Sequence, residues 1–507
     1  MNTLQIKNNQ SVSIADIPVF DYEAFYAIAI NLCSNSSNHI ANYYAYQASE
    51  VLKFICAIAD DNDSTIHVFS HELTNLDKTI AIDALSKDVY AFHLFEREIS
   101  ENFGVEFLNH PWNKPVRYAF DRADKSKTIQ NYPFLHLDSD ETHEVGVGPI
   151  HAGIIEAGHF RFLCNGEQVL HLEIQLGYQH RGIEKLFLAK KHILQQTVLS
   201  ESITGDSAVS HTLAYVANME TLLEIEPNAR LNMVRALALE MERMAIHVGD
   251  LSGFCLDVAY QLGSSVFGAL RTPLINYMQW WCGNRFGKGL IRVGYNPYAF
   301  TPQLKERLIK TLEEFEAKYM EMAHKTFEMP SLLNRFEKTG KLAKEQAELI
   351  GAVGLTARMT GLARDVRTAH PFGYFKEQKY DPVLMQSGDV FARGMARNLE
   401  VQHSLEYIRI MLAQMSRTDE EPTLPRPDLY KQKLKSNQFV ISLVEGWRGE
   451  ICHCAITNEK GELAHYKVKD PSFHNWMGLA LAMRDNEISD FPINNKSFDL
   501  SYCGFDL

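Results

Sequence analysis

The order of residues predicts an α+β protein: a small N-terminal α/β domain, then a helix-rich body flanked by antiparallel strands. Three patterns carry that expectation. Short β-like runs are mixed with apolar-periodic segments in the first ~120 residues, apolar residues recur at helical spacing from Tyr178 to about Met415, and apolar alternation returns after the Pro-rich break EEPTLPRPDLY.

Taken in order, the N-terminal stretch holds runs such as Thr65-Ile66-His67-Val68-Phe69 and finishes on AFHLFEREISENFGVEFLNHPWNKPVRY. From Asp121 to about Glu144 the chain turns polar and charged with almost no apolar periodicity, as expected of a solvated connection. The division expected is therefore 1–120 for the first domain, 121–146 for the connection and 147–507 for the second. The second unit opens with GHFRFLCNGEQVLHLEIQL, two β-rich runs around Asn165-Gly166, a dipeptide suited to the positive φ of a type I′ hairpin turn. In the body, Met233, Leu237, Met241, Met244 and Val248 mark one helix face that Glu240 interrupts. FVISLVEGWRGEICHCAITNE and ELAHYKVKD then alternate as strands of a second antiparallel sheet.

Composition narrows the function classes. With 46% hydrophobic and 22% charged residues the chain is an ordinary folding sequence, and 507 residues favour two or more globular units. A net charge of −13 without any basic stripe argues against nucleic acid as a partner. No stretch approaches the ~18 uncharged apolar residues that span a bilayer, and MNTLQIKNNQ has no signal-peptide pattern, so membrane contact is expected through other subunits. Eight cysteines, with Cys452 and Cys454 so close together, do not form a disulfide framework, and a reducing cytoplasm is expected. No GxGxxG opens a helix after a strand, so no NAD site is expected in this chain.

Several segments together resemble one superfamily nearly end to end. The N-terminal part, through Phe95-Glu96-Arg97-Glu98-Ile99, Asn102-Phe103-Gly104-Val105 and His110-Pro111, is similar to the small peripheral subunit of complex I. The rest carries Gly148-Pro149-Ile150-His151, Gly177-Tyr178-Gln179-His180-Arg181-Gly182-Ile183-Glu184-Lys185, RDVRTAHPFGY from Arg364 and EGWRGE from Glu445. These resemble the large subunit of the complex I-like, energy-converting (group 4) nickel-iron hydrogenases of formate hydrogenlyase and hydrogenase-4 type, and the homologous quinone-site subunit of complex I. The resemblance implies that fold for 147–507.

In that family four thiolates hold nickel, from an RxCGxC and a DPCxxC segment. Here Thr204 and Ser207 occupy the first pair of places, Ser501 and Gly504 the second, and Cys503 stands one residue out of register. Hydroxyls are hard and weakly acidic compared with thiols, so no metal is expected. Complex I uses the corresponding cavity for a quinone headgroup, which makes quinone the natural substitute. Its headgroup histidine falls here on Ala157, with His159 nearby, and its tyrosine on Gly205.

The resemblance also nominates residues. Glu184 matches the proton-passing glutamate of hydrogenases and Asp257 an acidic residue near the complex I quinone site; each reads either as a catalytic proton carrier or as a salt-bridged carboxylate, Glu184 then pairing with Arg181 or Lys185. His151, His180, Arg181, Thr204, Ser207, Arg364, Asp365 and Ser501 are expected to line the cavity, and Glu240, Arg243 and His247 to stitch one helix to its neighbours. The function implied is that of a core hydrophilic subunit of a membrane-bound oxidoreductase complex on the cytoplasmic face of the inner membrane. It would couple electron transfer from a small-subunit-like iron-sulfur partner to ion translocation by antiporter-like membrane subunits. Iron-sulfur clusters would then lie in that partner, quinone could serve as acceptor, and NAD would enter only at the level of the complex. A non-catalytic scaffold is the alternative, and an active hydrogenase the less favoured one.

Overall fold

The computed structural model describes residues 2–74, 80–151, 155–415 and 420–507. The N-terminal segment runs β1 (Leu4–Ile6), β2 (Ser11–Ser13), β3 (Val19–Phe20), α1 (Tyr22–Cys33), β4 (Asn38–Ala48), β5 (Val51–Asp60), β6 (Thr65–Leu73), β7 (Ala81–Asp83), α2 (His93–Phe103) and β8 (Glu106–Leu108). β1, β6, β5 and β4 form an antiparallel sheet to which β3 adds a short parallel pairing on β6. Its central strand shows why it is enclosed: Ile55, Ala57 and Ala59 enter one core, while Leu52, Phe54, Cys56 and Ile58 enter another. β2 leaves this sheet and pairs with β12 (Gln438–Glu445) near the other end of the chain, so the two halves share backbone hydrogen bonds.

The polar connection is not wholly loop. Its end, β9 (His143–Val147), becomes the third strand of a sheet with β10 (His159–Asn165) and β11 (Gln168–Gln175). The hairpin expected here forms, with its turn one residue later than the sequence predicts. Asn165 pairs with Gln168, which leaves Gly166 and Glu167 as the turn residues. Gly166 alone of these has positive φ, whereas a type I′ turn requires it at both positions.

The body follows as α3 (Ile183–Ala189), α4 (Ile193–Ser200), α5 (Ala208–Leu222), α6 (Ala229–Asp257), α7 (Gln261–Cys282), α8 (Pro302–Glu328), α9 (Pro330–Phe336), α10 (Lys344–Leu349), α11 (Gly354–Arg358), α12 (Val366–Ala369) and α13 (Val390–Gln414). Their starts follow capping chemistry: Asn228, Thr301 and Asp389 each accept a hydrogen bond from the backbone N–H three residues on. β12, β13 (Glu450–Thr457) and β14 (Leu463–Lys469) form the antiparallel sheet read from the alternation, and α14 (Ser472–Ala482), α15 (Phe491–Phe498) and α16 (Tyr502–Asp506) close the described chain. All eight cysteines are free thiols. Among the described residues no helix is long and apolar enough to cross a membrane.

The α6 face that Glu240 interrupts carries an ion network. Arg243 donates to Glu240 (3.2 Å), Glu400 (3.4 Å) and the carbonyls of Glu445 (2.8 Å) and Gly446 (3.1 Å). Arg358 meets Glu400 (2.5 Å), Glu445 (2.6 Å) and Asp365 (3.3 Å), and Arg367 meets Asp365 (2.7 Å) and Glu240 (3.2 Å). Four carboxylates thus face three arginines, all buried. Burial and the charge of Asp365 push the Glu445 carboxyl up, so it keeps a proton more readily than its neighbours and brings the cluster toward neutrality. Burial alone would also raise Glu400, yet Arg358 and His247 hold it well below the usual carboxylate range. As the sequence predicts, these groups tie α6 to α13 and to the β12–β13 turn. That turn sits against α11 with no room for a side chain: a Cβ on Gly354, at φ +60°, would lie 2.0 Å from the Gly449 Cα.

Two outcomes follow from this packing. Replacing Arg358 with methionine takes the ion-pair partner from buried Glu445 and one of the cationic partners from each of Glu400 and Asp365, and should lower unfolding stability by about 3–5 kcal/mol in denaturant titrations; an unchanged midpoint would show that the network is not sharing charge. Glu242 caps α5 by accepting from the N–H groups of Val209 (2.7 Å) and Ser210 (3.2 Å), and burial pushes its carboxyl up to about 8. A carboxyl raised on folding stabilises the protein fully below its unfolded value near ~4.3 and loses that contribution as pH climbs through about 8. Unfolding midpoints measured across pH 5 to 9 should therefore fall more steeply in the native chain than in Glu242→Gln, and parallel curves would contradict this role.

Candidate functional site

The two segments that match the family's metal-ligand places do converge. Thr204 and Ser207 lie in the turn before α5, while Ser501 and Gly504 lie at the start of and within α16. A Cβ built on Gly504 would fall 2.7 Å from Thr204 Oγ1, 2.7 Å from Asp470 Oδ2 and 2.6 Å from Asp470 Cγ. The carboxylate of Asp470 therefore fills the space into which a side chain at 504 would project. Thr204 Oγ1 donates to Asp470 Oδ2 at 3.4 Å. Ser501 Oγ caps α16 by accepting from Gly504 N at 2.9 Å, and it lies 3.4 Å from Cys503 Sγ. Ser207 Oγ accepts from Arg448 at 3.3 Å.

Asp470 sits where β14 ends and α14 begins, and it anchors a hydrogen-bonded row. Its Oδ2 meets His211 Nε2 at 3.0 Å, His211 Nδ1 meets His453 Nε2 at 3.1 Å, and His453 Nδ1 meets Tyr466 Oη at 2.8 Å. α5 positions His211, while strand alternation places His453 opposite Cys452 and Cys454, whose thiols take the Asn42 amide. Burial alone would raise Asp470, but His211 and Arg448 hold its carboxyl below the ordinary value. Burial, with the charge of His211 adding, keeps His453 well below the usual imidazole range, and burial keeps Tyr466 well above the usual phenol range. His211 therefore donates through Nε2 to the ionised carboxylate, and the Tyr466 hydroxyl and the remaining imidazole nitrogens of His453 and His211 continue the row as groups able to give or take a hydrogen bond according to tautomer.

A second row passes on the other side. Arg448, stacked 3.8 Å over Trp447, donates to Asp206 (2.6 and 2.8 Å) and to the Asp499 carbonyl (2.5 Å). Lys496 bridges Asp499 (2.8 Å) and Asp250 (3.1 Å), and Asp250 also accepts from Arg397 (2.9 Å). This brings the charges of α6 and α13 to the edge of the Thr204–Ser501 pocket.

The remaining residues nominated from the sequence are placed as follows. Glu184 accepts from the Val468 N–H (3.0 Å) and pairs with Lys467 (3.0 Å), which corrects the expected partners Arg181 and Lys185. Lys185 instead bridges to Asp121, and Arg181 donates to the carbonyls of Ser202 (2.6 Å), Ile203 (2.7 Å) and Cys503 (3.2 Å). The i,i+1 side chain points off the face of Glu184, and Arg181 precedes the helix, so a residue from β14 is the one within reach. Glu184 shares a cleft of about 190 Å³ with Tyr44, Tyr46, His465, Tyr466 and Lys467. Asp257 is exposed at the end of α6, with no hydrogen bond or ion pair among the described residues, and partial desolvation there raises its carboxyl above the ordinary value.

His180 Nδ1 bonds the Asp506 carbonyl at 2.8 Å, and the Asp506 carboxyl, pushed up to about 7 by burial, accepts from Gly177 and Gln179 N–H groups at 2.7 Å each. His151 is exposed, 5.7 Å from the Phe160 ring, and away from the Asp470 row; residues 152–154 of its loop lie outside the described residues. Arg364 donates to the carbonyls of Ala352 (2.9 Å) and Asn38 (3.5 Å), and Asp365 belongs to the α6 ion network. Sequence reading missed Asp470, His453 and Tyr466. The only signal was a polar residue at each of these places in strands that otherwise read as half-buried, and that signal is shared by many surface strands.

The chain is similar in sequence to several known proteins. Residues 263–506 match the family described as the respiratory-chain NADH dehydrogenase 49 Kd subunit. Hydrogenase-4 component G of Escherichia coli is 27% identical over 393 residues, covering 78% of this chain and 67% of the relative. Formate hydrogenlyase subunit 5 of the same organism is 27% identical over 399 residues, covering 78% and 68%. NADH-quinone oxidoreductase subunit 4 of Thermus thermophilus is 26% identical over 387 residues, covering 71% of this chain and 92% of that one. Where the Thr204 and Ser501 segments converge, the chain is thus similar to a complex I 49 Kd subunit over residues 263–506 and, over most of its length, to hydrogenase-4 component G and formate hydrogenlyase subunit 5.

Proposed function

We propose that this chain is the hydrophilic core subunit of a membrane-bound complex I-like oxidoreductase in which a proton relay has replaced the metal centre of the hydrogenases. The observation that carries this reading is the Asp470 carboxylate, held by His211 and Thr204 in the space facing Gly504. Hydroxyls, a glycine and one carboxylate do not fit a soft-metal thiolate site, so no step is routed through nickel.

The row of donors supports a proton pathway instead. A proton reaching Asp470 leaves His211 Nε2; His211 Nδ1 is refilled from His453 Nε2, His453 Nδ1 from Tyr466, and Tyr466 from the cleft it shares with Glu184. Lys467 holds the Glu184 carboxylate at the mouth of that cleft. Iron-sulfur and antiporter-like membrane partners on the cytoplasmic face of the membrane complete the proposal, with quinone as the acceptor and NAD handled elsewhere in the complex. The Arg243–Glu400–Arg358 network supports a second reading, in which the chain transmits conformational change without carrying protons, because paired buried charges have few alternative arrangements.

Proton translocation by the purified complex distinguishes the two. Asp470→Asn and Glu184→Gln should each lower pumping by about tenfold or more while the complex stays assembled. Pumping unchanged in both carboxyl variants would move the function to the conformational reading.

A further inference from the structure

A second site, a partly open cavity, lies beside α16. A cavity of about 210 Å³ opens between α2, the loop at 111–116, β11 and α14. Its walls include the rings of His93, Trp112, Tyr132, His171 and Trp476. Phe505, on the same short helix as Ser501 and Gly504, closes one side.

The polar groups of this cavity are unbalanced. Lys114 pairs with Glu173 at 2.5 Å, which uses the one carboxylate in the wall. Arg97 donates only to the backbone carbonyls of Lys114 (2.6 Å) and Pro115 (2.8 Å), and Arg484 stands exposed at the rim; neither has an ion-pair partner among the described residues. His93 is 3% exposed and its Nδ1 has no hydrogen-bond partner, and the Nε2 of His171 is equally unpartnered. Burial lowers both imidazoles, so each is neutral and offers one donor and one acceptor nitrogen. A buried polar atom left without a partner is costly unless something satisfies it, and two unpaired guanidiniums beside aromatic walls attract a flat anion.

We propose that this cavity binds a small planar aromatic carboxylate bearing a ring hydroxyl. The carboxylate faces Arg97 and Arg484, the ring lies among Trp112, Tyr132 and Trp476, and the hydroxyl bonds an imidazole nitrogen. Because Phe505 forms part of the wall and Trp476 Nε1 donates to the Ser501 carbonyl at 3.2 Å, an occupant touches α16 directly. The site uses none of the relay residues, so its failure leaves the proposed proton pathway untouched.

Isothermal titration of the purified protein with 4-hydroxybenzoate, against its uncharged amide 4-hydroxybenzamide, tests the site. The acid should bind saturably at one per chain and at least about tenfold more tightly than the amide. The surface substitution Arg484→Gln should weaken it severalfold, and Ala480→Leu, which fills the cavity from α14, should abolish it with the melting temperature unchanged. Absence of saturable binding at millimolar acid, equal affinity for the amide, or full binding by Ala480→Leu would each overturn the proposal.

Discussion

The rest of the structure depends on the pairing of charge along α6. This helix carries Glu240, Glu242, Arg243, His247 and Asp250, all buried, through the centre of the protein. Taking such groups out of water is costly, and the cost is met only where partners arrive from several elements at once. α13 supplies Glu400 and Arg397, the α11–α12 region supplies Arg358, Asp365 and Arg367, the β12–β13 turn supplies Glu445, and α15 supplies Lys496. Segments distant in sequence are thereby fixed against one helix. The Thr204 turn and the Ser501 helix inherit their positions from that frame through Arg448 and its bonds to Asp206 and the Asp499 backbone.

Within this frame the hydroxyls at Thr204 and Ser501, where the resemblance places thiols, decide what the pocket can do. Thiolates would create a concentrated negative site that a metal neutralises. The residues present leave a single carboxylate, already satisfied by an imidazole, the Thr204 hydroxyl and the Ser472 N–H. What remains beside it is a row in which each group both gives and takes a hydrogen bond, a property suited to moving protons. That row is the path of the proton relay proposed here for a chain similar to complex I and hydrogenase subunits.

Much of the fold was legible from the sequence because its periodicities are strong. The alternation of FVISLVE and ICHCAIT gave β12 and β13, the apolar face of 233–248 gave α6, and Asn165-Gly166 announced the hairpin while misplacing its turn by one residue. The strand at 143–147 was hidden because its two valines are set among His143, Glu144 and Gly146 and none of the five is fully buried on the edge of a three-stranded sheet. The site was legible in part. Motif spacing brought Thr204, Ser207 and Ser501 together, yet the partner of Glu184 came from β14, and Asp470 was invisible because nothing local marks a carboxylate that becomes buried only when the sheet meets α5. Asp257, chosen by motif, proved exposed because it lies at the end of its helix.

The claim that Asp470 and its histidines occupy a metal's former place is tested most directly by nickel content. Elemental analysis of the complex purified from membranes, with the chain quantified alongside, should find no stoichiometric nickel. About one nickel per chain, retained through dialysis against chelator, would contradict the account and return the site to hydrogenase chemistry.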